Sequence, residues 1–164
     1  MALRRLRAAL RCWPTPRDWT SCGGIGLAGA LFCYAAAHIG GLVGFAPVRD
    51  NALVFGALTT LFFVPALAEE ILFRGLMVPQ GRGVRSLLGV MASVALFTLW
   101  HPLQAITFGP PRSGLFLDPW FLVAVTALGI TLTAQYRVSH SLWPPVLTHW
   151  LIVAAWKLLF GGPF

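Results

Sequence analysis

Five long apolar runs divide this chain, and short connections rich in turn-forming residues separate them. Each connection contains an arginine and turn-forming residues such as Pro, Gly, Asn or Ser, as in "APVRDN" and "PQGRG". A helix that crosses the hydrocarbon core of about 30 Å needs about 20 residues, and lipid leaves no backbone group unpaired. The pattern therefore predicts an all-α, polytopic transmembrane helix bundle of about five spans, at residues 22–45, 52–78, 84–108, 120–136 and 142–160.

Composition supports lipid as the solvent for most of this chain. The sequence is 57% hydrophobic and only 10% charged, and its mean hydropathy is +0.76. A soluble domain carries charge on about a quarter of its residues. We therefore expect one integral membrane bundle over residues 22–160, preceded by a basic cytoplasmic segment at residues 1–21.

The basic residues predict an orientation and argue against a nucleic-acid partner. The net charge is +7, but the arginines are scattered between apolar runs and form no single stripe. With a cytoplasmic N-terminus, eight arginines lie on the inside and three basic residues lie toward the other side, which fits the positive-inside rule. The inner set is Arg4, Arg5, Arg7, Arg11, Arg17, Arg82, Arg85 and Arg137, and the outer set is Arg49, Arg112 and Lys157.

An adjacent pair of glutamates interrupts the second apolar run, "VPALAEEILFRGLMV". Glu69 and Glu70 are two of only five acidic residues in the chain. A charge at the middle of a membrane helix costs on the order of 3 kcal/mol, so these carboxylates need a partner or a cavity. Arg74 follows Glu70 by four residues, the favourable order for an ion pair on one helix face. Glu69 points about 100° away and is left for another role. Alternatively, the three residues mark the interfacial end of the second span.

Two histidines lie in other apolar runs. His101 occurs in "VALFTLWHPLQ", and His149 occurs in "PPVLTHWLIV". A lone buried histidine usually bridges two helices by a hydrogen bond. Two histidines and a glutamate pair on three different spans are instead typical of a convergent site in the core of a bundle.

Three motifs resemble those of the CPBP family, the intramembrane proteases that include CAAX-prenyl-protease-like and bacteriocin-processing members. "EEILFR" fits the EExxxR motif, "FTLWH" fits FxxxH, and "HWLIV" is similar to a last motif in which His is followed four residues later by Asn. The resemblance covers about residues 55–160. The small size and the ending "THWLIVAAWKLLFGG" are similar to bacterial members associated with C-terminal protein-sorting signals.

The resemblance implies a glutamic-type endopeptidase with no metal or other cofactor, in a bacterial inner membrane. Its substrate would be a membrane-associated protein or peptide, cleaved near the C-terminus. Glu69 would act as general base on water, His101 would hold that water, and His149 would donate to the oxyanion. Glu70 and Arg74 would fix the position of Glu69.

One residue departs from the family pattern, and two other functions remain open. Val153 occupies the position of the usual Asn and cannot donate a hydrogen bond, so Gln104, one turn from His101, is a candidate replacement. Two Glu and two His side chains also suit a zinc-dependent membrane metallopeptidase. The third interpretation is a non-catalytic membrane scaffold or chaperone of the same fold. The sequence does not indicate an oligomeric state.

Overall fold

The computed structural model describes residues 2–81, 83–107 and 113–163 of the chain. Within them the fold is all-α, as predicted, and no β-strand forms; Ala46 and Phe160 make one isolated bridge. A short 3₁₀ turn, Ser113–Leu117, precedes the fifth helix. The helices are α1 (Ala2–Arg11), α2 (Pro16–Ile39), α3 (Asn51–Leu76), α4 (Val84–Thr107), α5 (Pro119–Ser139) and α6 (Trp143–Leu159).

The helices fall where the apolar runs predict them, with shifted ends. α2 begins six residues before the expected start of the first run, because Thr15 and Asp18 form a capping box there and Pro16 occupies the first turn of the helix. The Thr15 hydroxyl accepts from the backbone N–H of Asp18, and the Asp18 carboxylate accepts from that of Thr15. α5 extends the shortest run at both ends to 21 residues, and α6 (Trp143–Leu159) has 17 residues.

All three aspartates cap the N-terminus of a helix. Besides Asp18 on α2, Asp50 accepts from the first backbone N–H groups of α3, at 2.9 and 3.1 Å. Asp118 does the same for α5, at 2.8 and 3.0 Å. Capping satisfies N–H groups that have no partner within their own helix. Local structure thus accounts for every acidic residue of the chain except Glu69 and Glu70.

α3 is interrupted shortly before the glutamate pair. Val64 has an extended backbone (φ −137°, ψ 114°), and it precedes Pro65, which has no N–H to donate. Two π-helical segments, Phe62–Leu67 and Ile71–Leu76, flank the short α-helical stretch Ala68–Glu70. Single π turns inside α-helices are frequent at functional sites. The glutamates therefore lie on the least regular part of the bundle.

Four helices of the described chain, α2 to α5, are long and apolar enough to cross a membrane. Their outer faces carry large apolar side chains, such as Phe55 (75% exposed) and Ile106 (71% exposed), which suit contact with lipid. α6 lies beside them at the position of the fifth predicted run. The predicted orientation, with the N-terminus inside, stays a prediction; Arg82, Arg112 and most of the connection "GPPRSG" lie outside the described residues.

Close packing joins α2 to α5 and joins α1 to the end of α3. α2 and α5 form the most extensive helix pair, and they approach closely because Gly29 faces Thr131, where a larger residue would collide. α1 packs beside the end of α3, where the Arg5 guanidinium donates to the backbone carbonyls of Gly75 and Leu76. These carbonyls belong to the last turn of α3, which has no helical partners for them. Part of the basic segment predicted at residues 1–21 is therefore a helix, α1, that contacts the end of the glutamate-bearing helix.

Candidate active site

Glu70 and Arg74 form a completely buried ion pair on α3. Arg74 Nη1 lies 2.9 Å from Glu70 Oε1, and both side chains are 0% exposed. Arg74 Nη2 donates to the backbone carbonyl of Gly129 on α5 at 3.0 Å, and the guanidinium lies over the ring of Phe97 on α4, 4.3 Å from its centroid. The pairing expected from the four-residue spacing is present, and it ties three helices together.

His149 on α6 approaches both glutamates. Its Nδ1 lies 2.9 Å from Glu70 Oε1, the oxygen that also accepts from Arg74. A carboxylate paired with a guanidinium can only accept, so Nδ1 carries a proton and donates it. The other ring nitrogen, Nε2, lies 3.9 Å from Glu69 Oε2. Glu70 thus orients the His149 ring so that Nε2 faces the second carboxylate.

Glu69 lies in the wall of a cavity that opens on the surface of the bundle, rather than in the core. Its side chain is 13% exposed, whereas Glu70 is fully buried. Glu69 Oε1 accepts a hydrogen bond of 3.1 Å from the indole N–H of Trp100. Glu69 Oε2 has no hydrogen-bond partner among the described residues. The two adjacent glutamates therefore have separate environments, as the helical geometry predicted.

His101 on α4 lines the same cavity. Its Nδ1 lies 3.0 Å from the backbone carbonyl of Phe97, which can only accept, so Nδ1 donates and Nε2 is the acceptor of the neutral ring. Aromatic rings surround the imidazole with centroids 5.4 to 5.6 Å away: Phe97, Phe116 and Phe121. This packing fixes the ring in one orientation.

The cavity has a volume of about 770 Å³, and five helices, α2 to α6, contribute residues to its wall. Glu69, His101 and His149 all contribute to its wall, so the structure brings together the predicted groups from three helices. Most of the remaining wall is apolar and includes Val153. Gln104 also lines the cavity, which places its amide in reach of the same space.

The profile of one protein family matches residues 50–155 of the chain, described as type II CAAX prenyl endopeptidase Rce1-like. The match covers more than half of the sequence and includes all five predicted site residues. The chain belongs to this family. No curated protein and no solved structure has significant similarity to it.

Family membership and the apolar helices define the class of protein. The chain is an integral membrane protein of an intramembrane peptidase family related to CAAX proteases. Its partners are accordingly the lipid bilayer and a protein or peptide substrate.

Sequence reasoning missed the role of Trp100 in this member of the family. Trp100 lies next to His101 on α4, where packing and substrate contact are both ordinary roles for a tryptophan. Its indole N–H instead donates to Glu69. The available signal was chemical: a tryptophan in an apolar span needs a hydrogen-bond partner, and few side chains in the neighbouring spans can accept.

We expect Trp100→Phe to lower kcat without unfolding the protein. Phenylalanine keeps most of the aromatic volume but removes the donor that holds Glu69 Oε1, which costs about 1 to 3 kcal/mol of carboxylate positioning. The expected loss is about tenfold in kcat, with a smaller change in KM, measured by steady-state peptide cleavage. Trp150→Phe is the matched control, because its indole N–H donates to the backbone carbonyl of Leu58, away from the carboxylates. Equal losses in the two variants would contradict a specific role for Trp100.

Proposed function

We propose that the protein is a glutamic-type intramembrane endopeptidase that cleaves a membrane-associated protein or peptide near its C-terminus. The observation that carries the proposal is the separation of 3.9 Å between Glu69 Oε2 and His149 Nε2 at the wall of an apolar cavity. This separation is too long for a direct hydrogen bond and suits a water molecule bound between the two groups. The bacterial inner membrane is the proposed location, with residues 1–21 on the cytoplasmic face of a single bundle.

In the proposed reaction, Glu69 removes a proton from the water as its oxygen attacks the substrate carbonyl carbon. The neutral His101 ring accepts from the other proton of that water through Nε2 and so orients it. The proton on Glu69 then moves to the leaving nitrogen when the C–N bond breaks, which returns the carboxylate to its starting state. One water is consumed for each peptide bond, and no redox change occurs.

His149 is the proposed donor to the tetrahedral oxyanion. When Nε2 carries a proton, the ring is a cation, and the carboxylates of Glu70 and Glu69 together balance the charges of His149 and Arg74. Preorganised donation of this kind contributes about 3 kcal/mol to transition-state stabilisation. Gln104 is the proposed second donor in place of the Asn that Val153 replaces, because its amide lines the same cavity.

Peptide cleavage in a strong chelator tests the proposal against the zinc-dependent alternative. Purified protein is incubated with two peptides, one ending in a prenylated Cys followed by three residues and one ending in an apolar helix, and fragments are identified by mass spectrometry. We expect cleavage of at least one peptide at the same rate with and without chelator. Loss of cleavage that zinc restores would instead support a metallopeptidase. A cellular function that survives replacement of Glu69, His101 and His149 together would support the scaffold.

A further inference from the structure

Lys157 is the only lysine in the chain, and it lines the cavity that contains Glu69 and His149. It lies on α6, two turns beyond His149, and its side chain is partly buried. Among the described residues of the wall, the other ionisable side chains are those of Glu69, the two histidines, Tyr34 and Cys33. Lys157 also lies just outside the family match at residues 50–155, so family membership assigns it no role.

The Lys157 ammonium already binds a peptide oxygen at its end of the cavity. Nζ donates to the backbone carbonyl of Pro163, in the segment that follows α6. Pro163 itself lines the cavity. The segment is held in place by Gly162, whose N–H donates to the Trp156 carbonyl at 3.0 Å, and by backbone pairing of residues 44–48 with residues 158–160. The carbonyl oxygen of Pro163 is thus bound by the Lys157 ammonium at this end of the cavity.

The chemistry of this cation favours a carboxylate over a neutral carbonyl as its ligand. An ammonium and a carboxylate carry full opposite charges, whereas a backbone carbonyl offers only a dipole, so the attraction to the carboxylate is the stronger of the two. The surrounding wall is apolar, which strengthens the attraction relative to water. The opposite charge elsewhere in the wall, Glu69, belongs to the catalytic end of the cavity. A substrate carboxylate is therefore repelled at one end and attracted at the other.

The spacing along α6 fits a short peptide between the two ends. Eight residues separate His149 from Lys157, which corresponds to about 12 Å along a helix that rises 1.5 Å per residue. An extended peptide spans about 3.3 Å per residue. A carboxylate at Lys157 would therefore place a peptide bond about three or four residues upstream beside Glu69 and His149.

We propose that Lys157 binds the C-terminal carboxylate of the substrate and thereby selects the bond that is cleaved. The inference rests on the proposed peptidase function and adds a specificity-determining residue to it. The competing explanation is purely structural: Lys157 holds the segment that contains Pro163 and takes no part in substrate binding.

Paired peptides that differ only in a C-terminal carboxylate or carboxamide separate these explanations. The probe is the peptide that ends in a prenylated Cys followed by three residues. Its Kd is measured with Glu69→Gln protein, so that no cleavage occurs. We expect the carboxylate form to bind about tenfold or more tightly than the amide form. Adding Lys157→Met is expected to reduce this ratio to about one, and Lys157→Arg is expected to retain much of it.

The ratio is insensitive to a general loss of folded protein, because both peptides are measured on the same preparation. Arg49→Met is the matched control; Arg49 is an exposed cation outside the cavity wall, and its removal should leave the ratio unchanged. If the ratio of the two Kd values were the same in Glu69→Gln protein with and without Lys157→Met, the proposal would be wrong. It would also be wrong if neither peptide bound. Cleavage by the otherwise unmodified chain is scored separately, so failure of the peptidase function remains distinguishable from failure of this assignment.

Discussion

Replacing Glu69 with glutamine is expected to lower kcat by at least about 100-fold, because an amide cannot accept the proton of the attacking water. The change is nearly isosteric, and the glutamine oxygen can still accept from the indole N–H of Trp100, which donates to Glu69 at 3.1 Å. Substrate binding and the folded state should therefore persist. Steady-state cleavage and equilibrium peptide binding, measured on the same preparation, separate the loss of chemistry from a loss of affinity.

Asp50→Asn is the matched acid-to-amide control for Glu69→Gln. Asp50 caps the same helix, α3, and lies on the surface. Asparagine caps a helix about as well as aspartate, so the control should be as active and as stable as the unmodified protein. Normal cleavage by Glu69→Gln would rule out Glu69 as the general base, and an equal loss in both variants would indicate a nonspecific effect of the lost negative charge.

Replacing Arg74 with methionine is expected to destabilise the protein by about 3 to 5 kcal/mol. Methionine keeps the volume but leaves the Glu70 carboxylate charged and fully buried without its guanidinium partner. It also removes the hydrogen bond to the Gly129 carbonyl and the contact with the Phe97 ring. Reversible unfolding in mixed micelles measures the change in the free energy of unfolding. Activity should fall because less protein is folded and because His149 loses its orientation.

A second substitution distinguishes an unpaired charge from a simple loss of packing. The double variant Glu70→Gln/Arg74→Met removes both charges, and we expect it to recover a substantial part of the lost stability. Arg85→Met is the control for removal of an exposed arginine and should change stability by less than about 0.5 kcal/mol. If Arg74→Met matched this control, the ion pair would contribute nothing to stability.

Local patterns in the sequence predicted much of the fold. The apolar runs located the helices because a lipid-facing helix needs about 20 consecutive apolar residues, a signal that depends on no distant contact. The pair between Glu70 and Arg74 was predictable for the same reason, since residues four apart share one helix face. The early start of α2 was also readable, because Thr15, Pro16 and Asp18 form a capping signature; a search for apolar runs alone overlooks it.

Other parts of the site depend on how the helices pack and could not be predicted. The hydrogen bond from Trp100 to Glu69 requires α3 and α4 at a particular rotation and depth. The contact of His149 with Glu70, rather than with Glu69 alone, likewise depends on the placement of α6. The irregular turns of α3 have no reliable sequence signature beyond Pro65. Helix existence is a local property of this chain, whereas the distribution of hydrogen bonds among the site residues is a tertiary one.

The two wide turns of α3 restrict insertions and deletions as well as substitutions. In each π-helical segment the backbone hydrogen bonds join residues five apart, whereas an α-helix joins residues four apart. Each segment therefore accommodates an extra residue. Deleting one residue from Phe62–Leu67 would remove that extra residue and leave the following stretch in its orientation, whereas deleting two would turn the stretch by about 100° relative to the rest of the bundle. That rotation would carry Glu69 away from the cavity and would carry Glu70 and Arg74 together away from His149. The extra residue therefore gives this segment a tolerance of one deletion, beyond which the orientation of its two glutamates is lost.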